Sequence, residues 1–324
     1  MSDIEAPAPQ LKKIRIGISS CLLGQEVRFD GGHKRDSYIN GTLSQYFDFV
    51  PVCPELAVGL GVPREPIRLV TTQSGTRVIG TRNPTLDVTE ALRDYGERKG
   101  HEMRNIAGYI LKRGSPSCGM ERVKVYTPAG MPNKSEAGMY ARAFMEVQPL
   151  LPMEEEGRLG DPVLRENFIG RVFVYHRWQT LVHDGLTPAK LIDFHTRHKL
   201  LILAHNQAAY RRMGRLVARA GSENMDDLAK EYVHELMTAL KRRAGRRHHV
   251  NVLQHLLGYL RKQLDADDRA EMHETIEAYG RGLIPLIVPL TLLKHHFRRH
   301  PHPYVGNQYY LSPHPAELML RNAL

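Results

Sequence analysis

Ile14-Arg15-Ile16-Gly17-Ile18-Ser19-Ser20-Cys21-Leu22-Leu23-Gly24 decides how this chain is read. Isoleucine alternates with other residues over 14–18, the period-2 pattern of a short β-strand. The run then breaks into a loop of small residues that carries a cysteine. The same grammar recurs downstream. Phe49-Val50-Pro51-Val52 runs into Cys53-Pro54-Glu55. Ala107-Gly108-Tyr109-Ile110-Leu111 leaves through Lys112-Arg113-Gly114-Ser115-Pro116-Ser117-Cys118-Gly119. Val123 to Tyr126 reads as a fourth strand, and Tyr38 to Tyr46 and Val88 to Ala107 fit helices. Strands alternating with helices predict an α/β domain with a mainly parallel, Rossmann-like sheet over residues 13–152.

The chain has only three cysteines, Cys21, Cys53 and Cys118, and each follows the C-terminal end of a predicted strand. Loops at that edge of an open α/β sheet build binding sites, so cysteines 32 and 65 residues apart are expected to converge. Gly24, Gly31, Gly32 and Gly119 permit close backbone approach to a bulky group, and Pro54 and Pro116 stiffen two of the loops. An odd cysteine count without a secretion signal argues against a disulfide framework. A lone cysteine is most often a small buried hydrophobe. Zinc is a further alternative, with His33 as a fourth ligand, although no CxxC or HxxH pair occurs in this half. Three thiolates also suit an iron–sulfur cubane with one iron left free.

Four motifs, Ser-Ser-Cys-Leu-Leu-Gly at 19–24, Arg-Phe-Asp-Gly-Gly at 28–32, Val-Cys-Pro-Glu at 52–55 and Ser-Pro-Ser-Cys-Gly at 115–119, resemble the TudS-type thiouracil desulfidases in that family's order. The resemblance implies that Cys21, Cys53 and Cys118 ligate a [4Fe–4S] cluster with one iron free of protein ligands. It places the catalytic acid–base carboxylate on Glu55 and the catalytic serine on Ser115. It implies non-redox conversion of a thiolated pyrimidine (thiouracil, or a thiouridine nucleoside or nucleotide) to the oxo form with release of hydrogen sulfide. Iron–sulfur assembly machinery is then a partner. The stretch Gly61-Val62-Pro63-Arg64-Glu65-Pro66 is more charged than the proline-rich segment expected there. Local sequence alone also accommodates Glu55 as a carboxylate at the start of a helix opened by Pro54, and Ser115 as a turn residue before proline. The alternatives in function are an iron–sulfur sensing or binding module, and sulfur removal from thiolated tRNA.

Residues 1–12 are polar and carry prolines, and read as a loose tail. The longest apolar run, near Leu283–Leu293, is too short for a bilayer and is interrupted by Pro285 and Pro289. The expectation is a cytoplasmic protein with no membrane partner. Net charge is +10, with 20 basic against 16 acidic residues over 1–150 and 25 against 19 over 151–324. Both halves are therefore mildly basic, which favours anionic partners, and neither carries a long basic block.

Glu154-Glu155-Glu156-Gly157 opens a charged linker over 153–161. An all-α domain follows over 162–324, with helices over 162–182, 188–204, 206–219, 225–242, 249–262, 267–279 and 289–300. Leu228, Tyr232, Leu236 and Leu240 give one of them an apolar stripe. Phe194-His195-Thr196-Arg197-His198-Lys199-Leu200-Leu201, with Ala204-His205-Asn206 and Tyr210, resembles the YbgA-like domain of unknown function. His195 and His198 share a helical face, which permits a metal, but no carboxylate completes a known motif and packing histidines are the commoner outcome. An anion site built from His195, Arg197, His198 and Lys199 is the other option.

Overall fold

The computed structural model describes residues 13–324; the tail read above lies outside the described residues. The chain divides into two compact units, with the division between Arg158 and Leu159. The strands of the first unit are β1 (Ile14–Ser19), β2 (Phe47–Val52), β3 (Ile67–Thr72), β4 (Gly75–Gly80), β5 (Tyr109–Leu111), β6 (Val123–Tyr126), β7 (Pro132–Glu136) and β8 (Met153–Glu155). Its helices are α1 (Ser37–Gly41), α2 (Pro54–Ala57), α3 (Thr89–Glu102) and α4 (Met139–Val147).

One sheet has the order β2-β1-β5-β8 and is parallel throughout. Its register pairs Ile16 with Phe49 and Ile18 with Ile110. Ile16, Ile18, Tyr109 and Ile110 are wholly buried, as expected of a parallel sheet covered on both faces. The chain steps from β1 to β2 on one side and then crosses to β5 on the other. The strand order therefore reverses between β1 and β5, the position at which such sheets open a crevice beyond their carboxyl ends.

A second sheet, β4-β3-β6-β7, is mixed: β3 pairs antiparallel with β4 and parallel with β6, and β6 pairs antiparallel with β7. Neither the β3–β4 hairpin, which turns at Gln73-Ser74, nor β7 was among the strands read from the sequence; Pro132-Asn133-Lys134-Ser135 in β7 is polar and exposed.

The linker expected at 153–161 is a correction. Met153-Glu154-Glu155 is the buried edge strand β8, and a 3-10 turn follows over Glu156–Gly160. The three glutamates have specific partners. Glu154 accepts from Arg158 Nε at 2.6 Å, Glu155 accepts from the Met120 amide at 2.9 Å, and Glu156 accepts from the Arg113 amide at 2.7 Å and from Lys112 Nζ. A run that looks solvated thus pins both flanks of the loop carrying Ser115 and Cys118.

The second unit is helical, with α5 (Pro162–His183), α6 (Pro188–His205), α7 (Gln207–Val217), α8 (Met225–Lys241), α9 (Arg246–Tyr259), α10 (Ala266–Arg281), α11 (Ile287–Arg299) and the short α12 (Pro303–Gly306). The side chains of Asp161, Thr187, Asn206, Asn224 and Asp265 accept from amides in the first turns of α5, α6, α7, α8 and α10, which is why those starts were readable. The stripe of α8 is buried as its spacing predicts. No described helix is long and apolar enough to cross a membrane.

This unit hides histidines. Burial pushes His195, His205 and His314 down to about 4 and His198 to about 3. An unfolded histidine titrates near about 6.5. Below that pH the unfolded chain takes protons that the folded unit refuses, so stability falls from pH 6.5 towards 4, by roughly 1.4 kcal/mol per pH unit for each histidine. Glu166, pushed up by burial, works in the opposite sense but is one group against four. The chain's single tryptophan, Trp178, stacks on Tyr232 at 5.3 Å, and Tyr232 in turn hydrogen-bonds His195. Trp178 emission is expected to shift to the red between pH 6.5 and 4, together with loss of helical circular dichroism. Unchanged signals at pH 4.5 would contradict this.

Candidate active site: three thiols and a carboxylate at one sheet edge

The loops beyond β1, β2 and β5 close around a cavity of about 210 Å³, and Cys21, Cys53 and Cys118 all line it. Cys21 is in the 3-10 turn that follows β1, and its carbonyl accepts from the Gly24 and Lys34 amides. Gly24 has φ +96°, a left-handed conformation that favours glycine and lets the chain leave the turn sharply. Cys53 caps α2, with its carbonyl accepting from Ala57. Cys118 lies in a tight loop closed by the Gly119 amide on the Ser115 carbonyl at 2.8 Å. This loop rests on the start of α4, where the Ala141 amide bonds the Ser117 carbonyl at 3.0 Å. A Cβ at Gly138 would stand 2.6 Å from that same carbonyl oxygen.

Glu55 lies two residues after Cys53, in the first turn of α2, and its carboxylate is held by side chains from other loops. Arg64 Nε and Nη2 both donate to Oε2, at 2.9 and 2.7 Å, and Ser117 Oγ donates to Oε1 at 2.7 Å. Ser115 Oγ is 3.4 Å from the same Oε1. Ser115 is also the turn residue its local sequence allowed, since its Oγ accepts from the Cys118 and Ser117 amides at 3.1 and 3.3 Å. Arg64 further donates to the Val27 and Gly61 carbonyls, so the guanidinium ties the carboxylate to two rim loops. Sequence reading noted the extra charge at 64 without finding its partner, and missed Ser117. The only signal for Ser117 was its place in the Ser-Pro-Ser-Cys motif.

All three thiols are free. Burial pushes Cys21 up to about 11 and Cys118 to about 12, and raises Cys53 as well. Among the described residues no three His, Cys, Asp or Glu side chains stand close enough to share one metal ion. A closed zinc site needs four such donors, with sulfurs roughly 3.8 Å apart. His33 is exposed, does not line the cavity, and accepts from the Arg35 amide. The cavity offers three soft sulfur donors and a carboxylate already held by arginine. That donor set fits an iron–sulfur cluster, whose irons also compensate the cost of buried thiolates.

The histidine pair of α6 is not a ligand pair. His195 Nδ1 meets the Tyr232 hydroxyl at 3.3 Å, and His198 Nδ1 bonds the Phe194 carbonyl at 2.7 Å. Both rings are buried, Arg197 pairs with Asp193, and Lys199 lies over the Tyr304 ring, so the four do not form an anion site.

Fold and site together define an α/β domain with a cysteine-lined crevice, joined to an all-helical domain. The family described as 2-thiouracil desulfurase matches residues 16–156, and that described as Protein of unknown function (DUF1722) matches residues 199–315. The uncharacterized protein YbgA of Escherichia coli K12 is 36% identical over 154 residues, 47% of this chain and 91% of that protein. The uncharacterized protein YbbK of Bacillus subtilis 168 is 34% identical over 109 residues, 32% of this chain and 71% of that protein. A solved structure described as the [4Fe-4S]-dependent thiouracil desulfidase TudS is 28% identical, covering 46% of this chain and 95% of that one, with a TM-score of 0.36. The chain belongs to the family of YbgA and carries, over residues 16–156, a 2-thiouracil desulfurase domain fused ahead of the DUF1722 region.

Proposed function

We propose that the first domain is a non-redox desulfidase. Cys21, Cys53 and Cys118 hold a [4Fe–4S] cluster with one iron free of protein ligands. A thiolated pyrimidine, as base, nucleoside or nucleotide, is converted to its oxo form with release of hydrogen sulfide. The observation that carries this reading is the arginine-held Glu55 carboxylate on the wall of the same cavity as the three thiols. When bound, the cluster supplies a Lewis-acidic iron suited to the substrate's sulfur. Glu55 takes the proton of the attacking water. Arg64 fixes the carboxylate's orientation, and Ser115 moves a proton between Glu55 and the reacting group. A cluster that only reports oxygen or iron has no use for this hydrogen-bonded carboxylate, which favours an enzyme over a sensor. Three free thiols support the reading of a reducing compartment, the cytoplasm, where assembly machinery would deliver the cluster.

A second reading, sulfur removal from thiolated tRNA, is favoured by the turn between α8 and α9. Lys241, Arg242, Arg243, Arg246 and Arg247 are exposed there, and none joins an ion pair among the described residues. In sequence this block is broken by Ala244-Gly245; the fold gathers it into one turn. One experiment tests both readings: anaerobic reconstitution, then product analysis on thiolated bases, nucleosides, nucleotides and tRNA. Conversion of the small substrates supports the first reading. Conversion of tRNA alone, with steeply salt-dependent binding, supports the second. No conversion of any of them overturns both.

A further inference from the structure

Glu55 and Ser115 are poorly connected to each other directly. Their oxygens are 3.4 Å apart, beyond the usual range for an O–H···O bond. Ser117 Oγ lies between them, 2.7 Å from Glu55 Oε1 and 2.9 Å from Ser115 Oγ. A hydroxyl has one proton to donate. The Ser117 proton goes to the carboxylate, an acceptor only and at 2.7 Å much nearer than the other acceptor in reach, Cys118 Sγ at 3.6 Å. The Ser115 proton therefore goes to its shortest acceptor, Ser117. Ser115 in turn receives the Ser117 and Cys118 amides, so its oxygen is oriented by two fixed N–H groups. The other carboxylate oxygen is taken twice by Arg64. The arrangement is a one-way chain, Ser115 to Ser117 to Glu55. Ser117 is wholly buried and does not itself reach solvent, whereas Ser115 is only half-buried.

We propose, on the desulfidase reading, that Ser117 is the relay hydroxyl through which Glu55 acts on Ser115. As water attacks the ring carbon, its proton passes to Ser115, the Ser115 proton to Ser117, and the Ser117 proton to Glu55. The water's oxygen lone pair forms the C–O bond, and the C=S π pair moves to sulfur. The C–S bond then breaks with its electron pair on sulfur. Glu55 returns its proton along the same chain to the leaving sulfur, and the new C–OH gives up the second. The sum is C=S plus water to C=O plus hydrogen sulfide, with both hydroxyls and the carboxylate restored. Ser117 is a positioning residue in this scheme, since it acts through Ser115 and Glu55.

The test uses the reconstituted full chain. Ser117→Ala is expected to keep its iron and sulfide content and its KM, while kcat falls on the order of tenfold to a hundredfold, the scale of lost acid–base help. In a Glu55→Gln background the same change should add nothing further, because the relay has lost its terminus. A proton inventory in mixed H2O and D2O should be bowed for the wild type and linear for Ser117→Ala. Should Ser117→Ala lose iron, the isosteric pair Ser117→Thr and Ser117→Val isolates the hydroxyl, with Thr expected to exceed Val about tenfold. Equal kcat for wild type and Ser117→Ala, full additivity with Glu55→Gln, or equal Thr and Val variants overturns the relay. A wild type inactive on every thiolated substrate instead overturns the desulfidase reading on which the relay rests.

Discussion

Replacing any one of Cys21, Cys53 or Cys118 by Ala is expected to abolish the cluster and with it turnover. Each cysteine belongs to a different element: the turn after β1, the start of α2 and the loop after β5. Among the described residues no further cysteine or histidine lines the cavity, Glu55 is engaged by Arg64, and His33 is off the cavity. The loss of one thiolate therefore has no local replacement. Cys to Ala removes a single atom from packed loops, so the parallel sheet should persist, and unchanged circular dichroism will show that the loss is one of ligation. Iron, acid-labile sulfide and the visible spectrum after anaerobic reconstitution are the readouts. A variant with a full [4Fe–4S] complement and full activity would mean that its cysteine is not a ligand.

Glu55→Gln carries the second large effect. Size is kept, Arg64 retains an oxygen acceptor, and the base is gone. The cluster spectrum is expected to remain while desulfidation falls by about a hundredfold or more. Loss of a charge opposite the nearly buried Arg64 also costs stability, on the order of 1–3 kcal/mol, so a lower melting temperature should accompany the kinetic loss. Ser115→Ala is expected to lower turnover similarly, but it also frees two loop amides beside Cys118. Glu55→Gln is therefore the cleaner probe of chemistry, and near-normal turnover in that variant would remove the proposed base.

Much of this was legible in the sequence. Each cysteine loop was marked by an apolar run ending in Ser, Pro or Gly, because strands of a parallel sheet must break at the edge where loops begin. The helical half was readable because its polar caps and four-residue spacing are local signals. What escaped was non-local. Arg64 reaches Glu55 across nine residues and Ser117 reaches it across 62, and no pattern within a window reports either bond. Glu154-Glu155-Glu156 reads as solvated linker by composition, yet β8 buries two of these residues, because the amides of Met120 and Glu121 and the Arg158 side chain satisfy their carboxylates. A truncation at Met153 would thus remove the rest of an edge strand. The α6 histidines followed the commoner of the outcomes their spacing allowed, packing, with their Nδ1 atoms meeting Tyr232 and a backbone carbonyl.

The most direct measurement is a single turnover of the reconstituted protein in H2¹⁸O, without reductant, on a thiolated pyrimidine. One sulfide should be released for each carbonyl formed, with the ¹⁸O label in the product and none formed by the cluster-free protein. A requirement for added electrons, a product lacking the label, or equal turnover without the cluster would contradict a hydrolytic, cluster-dependent desulfidase.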